Sequence, residues 1–219
     1  KSFHSFEANM SKDEVKKNII SESIHLFMKF GLRSVTMDDI AKHLGMSKKT
    51  IYQHFKDKEE IIIQATKVVF DEEVKMMREV ELGTENAVDH LYKQTLLLRE
   101  RIKNTSSTTM YDMQKYYPKA WDKYKCFKQD VVYNSVINHL RRGIKEGLFR
   151  KDINPEILAK FRISQIETSF DEETFAGFQY SLVEIHEQLF DHFTYGILSE
   201  KGLELFKTYR QKNNIHETI

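Results

Sequence analysis

The chain has 219 residues, enough for two small domains or one large one. At 40% hydrophobic and 31% charged, its composition is that of a soluble globular protein and excludes a disordered or membrane-embedded chain. The net charge of +1 excludes a molecule drawn to nucleic acid as a whole, so any such affinity has to come from a local patch.

Eight Gly and two Pro leave room for long uninterrupted helices and argue against a loop-rich β fold. Cys126 is the single cysteine, which excludes an intrachain disulfide and a cysteine-based zinc finger and suits a reducing cytoplasm. No apolar run approaches the roughly 20 residues of a membrane span. Met10-Ser11-Lys12 reads like a natural start, so residues 1–9 are expected to be a vector-derived segment or a tail without function.

Apolar residues recur at helical spacing nearly throughout, and no segment alternates as a strand would. A first helix is expected over Lys12–Phe30, stopped by Gly31. Another starts at Asp57 and runs to about Val80, before Gly83. Asn86–Asn104 carries Val88, Leu91, Thr95, Leu98 and Ile102 on one stripe, and Asn104–Thr109 reads as a linker. Pro118 opens a long helix that ends near Gly147, and Asn154-Pro155 is a strong helix start. Phe178–Leu198 and a short tail helix after Gly202 complete an all-α chain. The expected division is 10–57 as an N-terminal three-helix, helix-turn-helix DNA-binding domain and 58–219 as a C-terminal helical bundle for ligand binding and dimerisation.

Three helix starts crowd into residues 36–60. Thr36 stands three residues before Asp39, with Val35 and Ile40 placed as a hydrophobic staple; Ser47 starts the next helix with Met46 and Ile51 as its staple; Asp57 and Glu60 repeat the capping pattern. Gly45 supplies the left-handed residue of a tight turn, and Ala41 is small where two helices cross. Two short helices joined by such a turn make a helix-turn-helix. At about 100° per residue, Ile51 and Phe55 face the core, while Lys49, Thr50 and Gln53 point outward and Tyr52 and His54 flank them. Lys donates to guanine, Gln bonds adenine and a Thr methyl meets that of thymine. From Lys42 to Lys58, lysines 42, 48, 49, 56 and 58 oppose the single acid Asp57, an electrostatic footprint for DNA. Against this stands the plainer reading of a solvated polar helix face, which the joint occurrence of caps, turn glycine and local charge outweighs.

The stretch from Thr36 to Glu60, TMDDIAKHLGMSKKTIYQHFKDKEE, resembles the signature of the tetracycline-repressor (TetR) family, and the likeness covers about residues 12–65. The resemblance implies a homodimer that binds a palindromic DNA operator through its N-terminal domain and a small molecule through its all-α bundle. By position it implies that Lys48, Lys49 and Thr50 approach bases and that Thr36, Tyr52, His54 and Lys58 contact the phosphate backbone. Lys49 departs from the pattern, since many members carry Gly there, so no operator sequence is carried over.

From Gln165 to Glu200 there is no Lys or Arg against eight acids, a segment that DNA would repel. Within it Leu182, Ile185, Leu189 and Phe193 form an apolar stripe, which either buries in its own bundle or, as the resemblance implies, pairs with its two-fold copy. Tyr111, Tyr116, Tyr117, Trp121, Tyr124 and Phe127 are crowded into a short span, with Met113 and Cys126 in the same neighbourhood. Tyr111, Met113, Tyr117, Trp121, Tyr124 and Phe127 are candidates for lining a ligand pocket; plain core is the equal alternative. His90, His139, His186 and His192 lack ligand spacing, so no metal or cofactor is expected. No nucleophile–base constellation or phosphate loop appears, which disfavours an enzyme. The sequence thus reads as a cytoplasmic, homodimeric regulator, more a repressor than an activator, released from its operator by an unknown small-molecule effector; the alternative is gating by a protein partner.

Overall fold

The computed structural model describes residues 11–103, 106, 108–171, 174, 175, 177 and 179–214, apart from the side chains of 101, 213 and 214. Residues 1–9, parts of the expected linker and the expected helix start at Phe178 lie outside them. Among the described residues the chain is all helical, with one isolated bridge between Phe149 and Leu198 and no named strand. In chain order the helices are α1 (Lys12–Phe30), α2 (Met37–Leu44), α3 (Lys48–Tyr52), α4 (Lys58–Leu82), α5 (Ala87–Lys103), α6 (Thr108–Tyr116), α7 (Pro118–Phe127), α8 (Tyr133–Lys145), α9 (Pro155–Ser169), α10 (Leu182–Ile197) and α11 (Glu200–Asn214). A π-helical turn, Lys128–Val132, joins α7 to α8.

Each boundary has a local cause. Ser11 and Glu14 close a capping box on α1, and the helix stops at Gly31. The Asn86 side chain accepts from the Val88 and Asp89 N–H groups at the start of α5, and Asn154 accepts from Ile157 ahead of α9, whose first residue is Pro155. α10 begins four residues later than expected because Ser181 and Glu184 form a capping box there. Thr108 and Thr109, read as linker, are the first turn of α6. Gly202 does not precede the last helix but sits inside α11: a Cβ there would lie 2.0 Å from the Leu148 carbonyl oxygen, so the glycine permits a close helix–backbone approach.

The chain forms two compact units. Unit 1 comprises the described residues of Lys1–Asp71 and Asn104–Tyr124; unit 2 those of Glu72–Lys103 and Lys125–Ile219. The two units part after Asp71, inside the helix that begins at Lys58, rather than between 57 and 58. Ile61, Ile62 and Ala65 of α4 are buried with Ile19, Phe27, Ile40, Ile51 and Phe55 in the core of unit 1, and Met113 and Ala120 complete that core from α6 and α7. Unit 2 gathers Val88, Leu91, Leu140, Phe149, Ala159, Phe190, Phe193, Ile197 and Phe206 into a second core.

Candidate nucleic-acid interface

The helix-turn-helix is built as its caps dictate. The Thr36 hydroxyl accepts from the Asp39 N–H at 3.2 Å while the Asp39 carboxylate accepts from the Thr36 N–H at 2.8 Å and from its hydroxyl at 2.6 Å. Those hydrogen bonds hold the Asp39 carboxyl below its ordinary pKa. Gly45 ends α2 with φ 67° and ψ 19°, and the N–H of Met46 returns to the Ala41 carbonyl at 3.0 Å. Ser47 caps α3 by accepting from Thr50 N–H at 3.1 Å. α3 is only five residues long, but Phe55 beyond it stays in register through its N–H to the Ile51 carbonyl at 3.0 Å. Ile51 and Phe55 are fully buried, as their angular positions require.

That burial fixes the outward face. Lys49, Tyr52 and Gln53 are exposed, and their side chains make no hydrogen bond or ion pair among the described residues. Lys48 is exposed too, paired with Asp38 at 2.5 Å, a hydrogen bond that raises its pKa. Thr50 is half-buried, its hydroxyl 2.9 Å from that of Ser47, and His54 is half-buried on the flank. The Thr36 hydroxyl is engaged with Asp39. Lys58, at the start of α4, donates to the Arg33 carbonyl at 3.2 Å, lies 5.6 Å from the centre of the Tyr117 ring, and has its pKa lowered by burial. The face therefore presents free basic and amide groups at its centre and pre-positioned ones at its margins. Lys42 and Lys56, counted in the positive window but given no role, are exposed on the same unit.

Of the six pocket candidates, Met113, Tyr117, Trp121 and Tyr124 share the unit 1 core. Tyr111 is exposed, its hydroxyl accepting from Lys115 at 2.5 Å, whereas Met113 is buried in the unit 1 core. Tyr117 and Trp121 pack against that same core, and Trp121 stacks on Tyr124 with ring centres 5.0 Å apart. Phe127 belongs to unit 2. Close sequence spacing misleads because Tyr111 and Met113, two residues apart on α6, point to opposite sides of the helix.

Of the four proposed interface residues, Leu182, Ile185 and Leu189 of α10 are half-buried, but Phe193 is buried in the unit 2 core and is corrected to a core residue. A surface signal the apolar stripe alone did not supply is Ile157 and Phe161 of α9, exposed at 65% and 47%, four residues apart on the helix that packs against α10.

The pattern of the bacterial regulatory proteins of the tetR family matches residues 19–65, covering α1 to the first turns of α4. Residues 19–65 carry the N-terminal domain of the TetR family. The chain is 23% identical over 186 residues to the HTH-type transcriptional regulator YvaF of Bacillus subtilis, covering 84% of this chain and 96% of that protein. With the HTH-type transcriptional repressor KstR2 of Mycobacterium tuberculosis it shares 23% identity over 154 residues, 62% of this chain and 70% of the relative. Its fold superimposes on a transcriptional regulator from Saccharomonospora viridis in complex with choline, with TM-score 0.66 and 24% identity, covering 86% of this chain and all of that one. The helix-turn-helix that matches this family lies in unit 1, and the family consists of transcriptional regulators.

Proposed function

We propose that this TetR-family protein is a cytoplasmic transcriptional repressor that binds a palindromic operator as a homodimer and leaves it when a small molecule binds. The observation that carries the DNA-binding part is the uncommitted face of Lys49, Tyr52 and Gln53 held outward by the fully buried Ile51 and Phe55. Lys48, Lys49, Thr50 and Gln53 meet base edges, and Thr36, Tyr52, His54 and Lys58 meet phosphates. The bond from Lys58 to the Arg33 carbonyl pre-organises that ammonium and leaves two of its three donors for DNA.

Repression is supported by the likeness to KstR2, and small-molecule gating by the choline bound to the S. viridis regulator. Dimerisation is supported by the exposed Ile157 and Phe161 of α9 and the half-buried Leu182, Ile185 and Leu189 of α10, two helices of unit 2 that pack together. A helix-turn-helix reader needs two half-sites about one helical turn apart, which a two-fold dimer supplies. A regulator of this design performs no catalysis. Gating requires that the effector bind the DNA-incompetent arrangement more tightly than the competent one.

The deciding experiment selects operators from random duplex DNA with the purified chain. Palindromic sites bound by a protein of dimer mass are the expected result. Asymmetric sites bound by a monomer would overturn the homodimer.

A further inference from the structure

Unit 2 buries a cation that no charge among the described residues balances. Arg162, in the middle of α9, is 5% exposed, with its guanidinium carbon over the rings of Phe190 at 4.8 Å and Phe193 at 5.5 Å. Its Nη1 is inaccessible and has no hydrogen-bond partner, and no carboxylate among the described residues forms an ion pair with it. Burial alone pushes its pKa down to about 10, with no neighbouring charge acting to raise it. Two ring faces return much less than removing a guanidinium from water costs, so an arginine is retained in such a place when a counter-charge visits it.

Arg162 is not alone. Gln165 Oε1 on the same helix and His186 Nε2 and Thr194 Oγ1 on the facing helix α10 are also buried without a hydrogen-bond partner. Positions 186, 190, 193 and 194 recur on one side of α10, the side that meets Arg162 through both phenylalanines. The state of His186 follows from its other nitrogen. Ser169 Oγ donates its proton to the Ile166 carbonyl at 2.6 Å, so its 3.1 Å contact with His186 Nδ1 has the imidazole N–H as donor. Nε2 is then a bare acceptor, and burial beside Arg162 holds the ring neutral, with a pKa pushed down to about 4. Two acceptors, a hydroxyl and a cation stand unsatisfied on two packed helices, where buried polar groups are otherwise almost always paired.

We propose that Arg162, Gln165, His186 and Thr194 form the polar end of an effector site, and that the effector is a small organic anion, a carboxylate or phosphate ester, bearing a hydroxyl or amide N–H beside its charge. The anion oxygens take Arg162 Nη1, for which a guanidinium's forked donors are suited. The adjacent hydroxyl or amide donates to Gln165 Oε1 or His186 Nε2, a hydroxyl also accepting from Thr194 Oγ1, and the apolar body lies against Phe190 and Phe193. A quaternary ammonium such as choline has the wrong charge for this place. The proposal rests on the reading that a small molecule gates this regulator.

The test is calorimetric titration of the full chain with 3-hydroxyoctanoate, octanoate and phenyl phosphate, against octanamide, octanol and choline. The anions should bind at least tenfold more tightly than the neutral compounds and choline, with the hydroxy acid tighter than octanoate. Arg162→Met should abolish that preference and melt no lower than the parent, because it removes an uncompensated buried charge. Thr194→Val, which keeps the charge, should weaken the hydroxy acid and leave octanoate nearly unchanged. No anion binding, equal binding of anion and amide, or a marked fall in the melting temperature of Arg162→Met would overturn the site. Operator binding is followed in parallel. An anion that binds through Arg162 and leaves the operator complex intact supports the site and sinks the gating; release of the operator by a neutral compound alone does the reverse.

Discussion

The backbone N–H of Arg33 donates to Asp112 Oδ2 at 2.8 Å, across 79 positions of sequence. Asp112 is 5% exposed and lies on α6, so the segment after α5 is tied to the loop that leads into the helix-turn-helix. Arg33 closes the contact from its other end, its Nη1 donating to the Tyr116 hydroxyl at 3.1 Å. Asp112→Ala removes the charged acceptor of a part-buried hydrogen bond and is expected to cost about 1–3 kcal/mol. Asp112→Asn, which keeps an acceptor, should cost less. Urea unfolding distinguishes them, and equal losses would assign the effect to the charge rather than to the hydrogen bond.

The reading face makes a separate prediction. Lys49→Ala and Gln53→Ala each remove about 1–3 kcal/mol of discrimination between operator and scrambled duplex while sparing non-specific affinity. Competition binding is the measurement; retained specificity in both variants would transfer the reading to Lys48 or to DNA shape.

Phosphate contacts behave differently. Tyr52→Phe is expected to weaken binding to all sequences by a similar factor. Lys58→Ala should make log affinity against log salt shallower by about 0.9, the value for one lost phosphate contact. An unchanged slope would show that the ammonium serves the Arg33 carbonyl alone.

The proposed dimer face is tested on the exposed Phe161 and the half-buried Leu189. Phe161→Glu or Leu189→Glu should give monomers in sedimentation, with intact helicity and reduced operator affinity, because each places a carboxylate in an apolar seam. Phe193→Glu should instead unfold unit 2, since that ring is buried in its core. A dimeric Phe161→Glu protein would move the interface elsewhere.

Stability should fall in mild acid. His90 and His139, with ring centres 4.2 Å apart, and His186 are buried, and burial lowers their pKa values to about 3, 4 and 4 from an ordinary 6.5. The unfolded chain then binds protons that the folded one refuses, so the stability present above pH 6.5 is lost as pH drops toward 4. The slope is up to about 1.4 kcal/mol per histidine for each pH unit. Melting curves between pH 7.5 and 5 check this, and His139→Asn should flatten the trend; a melting temperature independent of pH would mean that these rings charge freely in the folded state.

What the sequence by itself determined is local. Thr36 with Asp39, Gly45, Ser47 and Asp57 set the helix-turn-helix, and Asn154-Pro155 set the start of α9, because a cap or a turn is decided by groups within about four residues of one another. The Ile51 and Phe55 spacing placed the reading face for the same reason. Tertiary packing alone decided the rest. It joined α6 and most of α7 to unit 1, set His90 against His139, and brought the Arg33 N–H to Asp112. It also turned Phe193 inward while leaving Ile157 and Phe161 outside, and it left Arg162 without a carboxylate among the described residues. Period and propensity report which side of a helix is apolar, but the apolar face of α10 is wide enough to serve both a core and a seam. Which residue goes to which depends on the helices packed against it, and those come from distant parts of the chain.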